Sequence, residues 1–386
     1  NIALVVDRSG SMSSENKLTY AQKAAKLVID NLTPDDRLAV VSYDDIVDVL
    51  QPSAAVKHKN NIKNAVDRLH SRGSTNLSGG MLEGYAQVKS TYEKNFVNRV
   101  LLLSDGLANQ GITNMEELKK IVQKKYLDEG IAISTFGVGT DFNEDLMTAL
   151  AEHGRGNYYF IDAADKIPGI FQKELKGLLS VIAQNSKLNI QFPSEVFEVH
   201  KVYGYEFEEK NGTISVDYND IFAEEEKAVL ISFKVKSPFS SNQVFKTSLT
   251  YDEAAGSYDR KVLAANATLS VTQDEDIYSN ALNEEVMQER VMFVTNQRLQ
   301  QAALAVDRGE YDEAEAIIRG NTLYMENAFQ TIEADSALQL QFYMNSNYGK
   351  EIKTIEEKSA VEVEMMQKSN KSYNYNTKKK KGWEDD

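Results

Sequence analysis

The sequence predicts an α/β fold built on a doubly wound, mostly parallel sheet, followed by a β-sandwich and an α-helical module. Three observations carry this. Up to about Asn185, short apolar runs alternate with helical patterns, as in βαβ units. From about Leu188 the period becomes that of strands, with turns such as Asn211-Gly212 between them. From Asp274 onward the pattern is helical. The expected organisation is an α/β domain over 1–183, a sandwich over 184–273, a helical module over 274–369 and a disordered tail over 370–386.

In the first domain the expected strands are Ile2–Val6, Leu38–Tyr43, Val100–Ser104, Ile131–Val138 and Tyr158–Ile161. They are nearly continuous in apolar residues, which suits strands covered on both faces. Ile46–Leu50 alternates and follows Tyr43 closely, so an antiparallel edge hairpin is expected. Helices are expected over Leu18–Leu32, Lys59–Leu69, Leu77–Tyr92, Asn114–Asp128, Glu144–Glu152 and Ile167–Ile182, with Thr113 and Glu116 forming a capping box for the fourth. Sandwich strands are expected at Leu188–Phe192, Val196–Glu206, Thr213–Tyr218, Lys227–Lys236, Val244–Tyr251 and Lys261–Val271, with Tyr203, Tyr205 and Phe207 facing its core. In the helical module Val291, Val294, Leu299, Ala302 and Ala303 mark an apolar stripe, and Arg308-Gly309-Glu310 breaks it. Two further helices are expected near Leu323–Tyr343 and Glu351–Gln367. The polar, charge-blocked end, including Lys378–Lys381, reads as solvated tail.

Composition narrows the function. The chain has 386 residues, 42% of them hydrophobic, enough for more than one core. Its net charge of −15 disfavours nucleic acid, whose phosphates it would repel. Without cysteine, disulfides, thiolate metal sites and cysteine nucleophiles are excluded together. No apolar run approaches the roughly 18–20 residues of a membrane span. The chain opens directly on a strand, with no charged leader or cleavage site, so an upstream segment such as a signal peptide is expected to precede Asn1.

The chemistry concentrates in Asp7-Arg8-Ser9-Gly10-Ser11, immediately after the first strand, where open α/β sheets gather ligands. A carboxylate and two hydroxyls at alternate positions can converge on one hard cation. Oxygen-only, partly neutral ligation that leaves room for water favours Mg²⁺. Asp105 ends the next parallel strand in Leu103-Ser104-Asp105-Gly106, and Thr75 in Gly73-Ser74-Thr75-Asn76 opens the helix between them. The bland reading of Asp-x-Ser-x-Ser alone is a chance string or a helix cap; the placement of Thr75 and Asp105 argues against it. Asp141 and Asn143 sit on the same edge, where helix capping is the simpler role. His58, His70, His153 and His200 lack paired metal-ligand spacing, and no Gly-rich run has the lysine of a phosphate loop.

This constellation resembles the metal-ion-dependent adhesion site of the von Willebrand factor A family, whose pattern is D-x-S-x-S, a Thr before a helix and an Asp after a central strand. The resemblance covers about 180 residues and extends to Phe136-Gly137-Val138-Gly139 and Ile170–Leu175. It implies that Ser9, Ser11 and Thr75 bind a divalent ion (Mg²⁺, or Mn²⁺ or Ca²⁺) directly. Asp7 and Asp105 would act largely through water, and a partner's Asp or Glu would fill the open position. The later regions resemble bacterial proteins in which a sandwich and helices follow such a domain. Relatives with strands ahead of the A domain imply that upstream residues pair with an edge strand in 188–272.

The expected function is therefore a non-enzymatic one: metal-dependent capture of a protein partner in adhesion, assembly or scaffolding. The alternative is an intracellular subunit that docks onto an ATPase or similar machine through the same face. Hydrolysis is a third class, weakened by the lack of a general base. The compartment stays open, with a cell-surface or extracellular setting favoured over the cytoplasm.

Overall fold

The structure, a computed structural model, describes residues 1–218, 220–223, 225–254 and 258–379. They divide into two compact units: 1–184 with 219–223 and 253–259, and the remainder.

The first unit alternates strands and helices in the order β1 Ile2–Asp7, α1 Lys17–Asn31, β2 Arg37–Tyr43, β3 Val47–Ala55, α2 Lys59–Val66, α3 Leu77–Ser90, β4 Arg99–Ser104, α4 Met115–Glu129, β5 Ala132–Val138, α5 Glu144–His153, β6 Arg155–Ile161 and α6 Ile167–Leu178. The sheet order is β3-β2-β1-β4-β5-β6. All pairs are parallel except β2–β3, which is the expected antiparallel edge. Pro52 is tolerated in β3 because an edge strand needs only one row of amide donors. Ile2, Leu4 and Val6 point into a core shared with α1, α2 and α6. The opposite face packs on α3. There a Cβ on Gly84 would stand 2.6 Å from Val5 Cγ2, and one on Gly80 would stand 2.5 Å from the Tyr43 ring. One helical turn apart, these two glycines let α3 lie close against β1, β2 and β4.

The lower end of this sheet holds a buried polar network. Arg99, about 1% exposed, donates to the Ser134 hydroxyl (3.2 Å) and pairs with Asp220. Ser134, Asn157 and Tyr159 donate to Glu174. Removing one member of such a buried pair typically costs about 3–5 kcal/mol, because a charge is left without its partner.

Several expectations shift. α6 ends at Leu178, and Val181–Gln191 is a strand, β7. The run from Leu178 to Ile182, apolar except for Ser180, fits either period; β7 spans the expected boundary at 183/184, next to which the two compact units divide. α4 is capped by Asn114, whose side chain accepts from the Glu117 amide at 2.9 Å, so the Thr113–Glu116 capping box does not form. Asn is at least as good a cap as Thr and stands one residue nearer the helix.

After β7, strands β8 Phe197–Tyr203, β9 Glu208–Lys210, β10 Thr213–Asp217, β11 Ile221–Phe222, β12 Leu230–Val235, β13 Gln243–Glu253 and β14 Arg260–Leu269 follow. β11 pairs with the start of β7. The second unit contains an antiparallel sheet in the order β14-β13-β7-β10-β9, and a separate β8–β12 pair. Their shared core includes Phe192 against Phe233 and Phe197 against Phe245, at ring separations of 5.1 and 5.4 Å. Tyr205 joins this core, but Phe207 is exposed, because left-handed Gly204 turns the chain out of strand alternation.

The helical part comprises α7 Glu275–Asn280, α8 Glu284–Asp307, α9 Tyr311–Ala328, α10 Ser336–Lys353 and α11 Ala360–Lys378. The break at Gly309 (φ 75°) is where it was expected. The helix expected over 323–343 is instead interrupted, since the Asp335 side chain caps a new helix at the Leu338 amide. The expected disordered tail over 370–386 is corrected as far as Lys378. Tyr373 and Tyr375 are buried in α11, and Tyr373 donates to Gln341 at 2.6 Å. That contact belongs to a ladder of buried side chains with Thr295, Asn321 and Asn345, which a purely apolar pattern does not reveal. Residues 380–386 lie outside the described residues. No helix among the described residues is long and apolar enough to cross a membrane.

Gly84→Ala tests the packing of α3. In an open helix the change would gain up to about 1 kcal/mol of propensity. Here overpacking against Val5 and Val100, at about 1–3 kcal/mol, is expected to outweigh that gain and leave a net destabilisation of up to about 2 kcal/mol, read as a lower urea midpoint at unchanged slope. A raised midpoint would contradict the close approach.

Candidate metal centre

The strand order places the switch point between β1 and β4, where connections leave in opposite directions and open sheets form their ligand crevice. Asp7 ends β1 and Asp105 follows β4, so the parallel register brings both carboxylates to this crevice. Both are fully buried. The Asp7 oxygens accept from the Ser9 amide (2.8 Å), the Ser104 hydroxyl (2.7 Å) and the Tyr43 hydroxyl (3.3 Å). Burial pushes the Asp7 carboxyl from its ordinary 3.8 up to about 6; the charge on Asp105 adds to this, while the bonds from Ser9 and Ser104 oppose it.

The hydroxyls converge on the same place. Ser11 donates to Asp105 Oδ1 at 2.6 Å, and the Ser9 and Ser11 oxygens lie 3.1 Å apart. A Cβ on Gly106 would stand 3.3 Å from Thr75 Oγ1 and 3.5 Å from Ser11 Oγ, which locates Thr75 beside Ser11 and explains the glycine after Asp105. The five expected residues thus come together, Ser11 partly exposed and the other four buried. Their oxygen donors, three neutral and two anionic, suit a hard divalent cation with room for water. No cluster of three or more His, Cys, Asp or Glu suited to a metal occurs among the described residues.

Three loops are locked to one another here by groups the sequence did not single out. Arg8 donates its amide to the Tyr43 carbonyl (2.9 Å), and its carbonyl accepts the Arg72 amide (2.9 Å). The Gly10 amide reaches the Gly73 carbonyl and the Asn76 amide the Asp44 carbonyl. At the centre stands Asp44, fully buried, which accepts from Arg8 (3.0 Å), Arg72 (2.7 Å) and the Ile46 amide (2.7 Å). Burial alone would raise its carboxyl, but the Ile46 amide, Arg72 and Arg8 outweigh it and hold the group below the ordinary value. Asn109 fixes the third loop by accepting from the Thr75 amide at 2.9 Å.

Lys17 completes the arrangement. Its ammonium lies 3.0 Å from Asp105 Oδ2. Asn143 does what capping predicts, accepting from the Leu146 amide at 3.0 Å, and Asp141 is exposed beside it. Among the described residues, none of the histidines is among the groups bonded to the five site residues; His153 meets the Ala149 carbonyl of its own helix. The sequence signal that was available for Arg8 and Asp44 is their position at the ends of β1 and β2. For Lys17 no signal distinguished it from a solvated helix charge.

Residues 1–173 match the von Willebrand factor type A domain family. The uncharacterized protein YfbK of Escherichia coli K12 is 35% identical over 208 residues, which is 53% of this chain and 36% of that protein. The chain thus spans about a third of that relative's length. Two solved structures share the fold. A von Willebrand factor type A protein from Catenulispora acidiphila is 17% identical, with a TM-score of 0.66 over 87% of this chain and 83% of that one. The ArnB paralog VWA2 from Sulfolobus acidocaldarius is 16% identical, with a TM-score of 0.58 over 97% and 88%. Domains of this family generally mediate protein–protein contacts, commonly with a divalent metal. The parallel sheet, its switch point and the family match agree: the first unit has the von Willebrand factor type A fold, and its residues 1–173 match that family.

Proposed function

We propose that Asp7, Ser9, Ser11, Thr75 and Asp105 hold one divalent cation, Mg²⁺ by preference, and that the cation captures an Asp or Glu of a protein partner. The observation that carries this reading is the meeting of oxygens from three loops, with Ser9, Ser11 and Asp105 linked at 3.1 and 2.6 Å and Thr75 beside them. Three neutral hydroxyls leave a divalent ion under-neutralised on its open side, so an incoming carboxylate gains direct charge pairing. Leu107 and Ile46, 58% and 51% exposed, lie in the loops after β4 and β2 and offer apolar surface to such a partner. The role is binding, in adhesion, assembly or scaffolding.

Metal binding should appear as stability. A ligand of the folded state at a hundredfold excess over Kd adds about 2.7 kcal/mol, roughly 5–10 °C for a domain of this size. The sign with pH follows from Asp7. Its folded pKa is raised from 3.8 to about 6, so its contribution to the metal-free domain is fully present below 3.8 and is lost as pH rises through about 6. The cation needs the ionised form, so the Mg²⁺-induced rise in Tm should be larger at pH 7.5 than at pH 5. At pH 7.5, Asp7→Asn should melt at or above wild type in EDTA, having lost a buried charge, and should show no Mg²⁺ response. Melting curves unaffected by Mg²⁺ or Mn²⁺ in wild type would sink the metal site.

Partner capture is tested separately, with protein recovered from the native source in Mg²⁺ and in EDTA. Capture should vanish in EDTA, weaken with added salt, and fall with Thr75→Ala. It should also fail when the contacting acidic residue of the partner is changed to its amide. Capture that survives EDTA would place docking on another face.

A further inference from the structure

Lys17 stands where a lysine is poorly placed for stability. It is the first residue of α1, about 5% exposed, and its charge faces the positive end of the helix. The first turn holds no acidic residue to offset it. The chain reaches this position through two consecutive left-handed residues, Glu15 (φ 52°) and Asn16 (φ 58°), a conformation uncommon for side chains other than Asn and Asp. Space for the ammonium is left by Gly139 (φ 72°), where a Cβ would stand 3.2 Å from Lys17 Nζ. A buried ammonium requires a charged partner, and Asp105 Oδ2 supplies it at 3.0 Å while Oδ1 accepts from Ser11. Asp105 is thus divided between a fixed cation on one oxygen and the hydroxyl cluster on the other.

We propose that Lys17 is a resident counter-charge of the cation site, which weakens metal binding and in return strengthens the capture of an anion by the bound metal. The inference rests on the metal reading above. Asp7 and Asp105, though not direct ligands in that reading, offset part of the charge of a divalent ion and so weaken its attraction for a further carboxylate. Lys17 restores one positive charge. The neighbouring network does not alter this count, because Arg8 and Arg72 are matched by Asp44 and Asp48. Removing Lys17 must therefore move two affinities in opposite directions, which a purely structural lysine would not do.

The test uses the full chain with Mn²⁺ as probe, following free Mn²⁺ by electron paramagnetic resonance. Acetate is then titrated onto the loaded protein, following the relaxation of metal-bound water. Lys17→Met and Lys17→Gln should bind Mn²⁺ at least about tenfold more tightly than wild type, the scale of a unit charge beside a divalent one even in a high dielectric. Both should bind acetate several-fold more weakly, and Lys17→Arg should restore both values. Unchanged or weaker Mn²⁺ binding in the folded variants, with wild type binding normally, overturns this inference alone. So does unchanged acetate binding. Loss of folding in both neutral variants, rescued by Arg, overturns it as well, since the charge would then serve the fold. If wild type binds no Mn²⁺, the metal reading fails and this inference with it.

Discussion

Two carboxylates without access to water, Asp7 and Asp105, stand at the ends of adjacent parallel strands, and the surrounding structure answers that constraint. Removal from water raises the energy of a carboxylate, and a second one nearby adds to it; burial first, and the charge on Asp105 after it, lift the pKa of Asp7. Hydroxyls from Ser104 and Tyr43 and the Ser9 amide satisfy Asp7. Asp105 is satisfied by Ser11 and Lys17. The remaining need is positive charge, which a divalent ion between the hydroxyls would meet.

Holding such a site open demands rigid loops, since loops are the least constrained parts of an α/β domain. Asp44 acts as a clamp. One buried carboxylate ties Arg8 in the first metal loop to Arg72 in the second, and main-chain bonds run alongside. Asn109 adds the third loop through the Thr75 amide. The polar network around Arg99 and Glu174 ties the opposite end of β4 to β5, β6 and α6. β4 is therefore anchored by polar groups at both ends and by apolar packing between, which limits how far the metal loops can drift.

Much of this was legible in the sequence because the responsible physics is local. Continuous Val, Ile and Leu runs announce strands covered on both faces, and a carboxylate with two alternate hydroxyls after one of them announces oxygen ligation. What was hidden depends on neighbours distant in sequence. Lys17 looks like any charged helix residue until the left-handed turn at Glu15 and Asn16 directs it inward. Asp44 and Asp45 look alike, though only Asp44 is buried. Tyr373 and Tyr375 sit among Asn and Lys, so the end of α11 reads as solvated. On its buried face Tyr373 donates to Gln341 and Gln367 to the Ala303 carbonyl, while the Asn374 carbonyl accepts from Asn296. The start of β7 fits helix and strand alike, because four apolar residues around Ser180 cannot separate the two periods.

The central claim is that the hydroxyl cluster, and not the acidic surface at large, is where a divalent ion binds. Anomalous scattering from crystals grown in Mn²⁺ tests this most directly. One strong peak is expected within about 2.0–2.3 Å of the Ser9, Ser11 and Thr75 hydroxyl oxygens, distances ordinary for hard-cation ligation, with Asp7 and Asp105 farther away. A dominant peak on exposed carboxylates elsewhere, or none at this end of the sheet under saturating Mn²⁺, would contradict it.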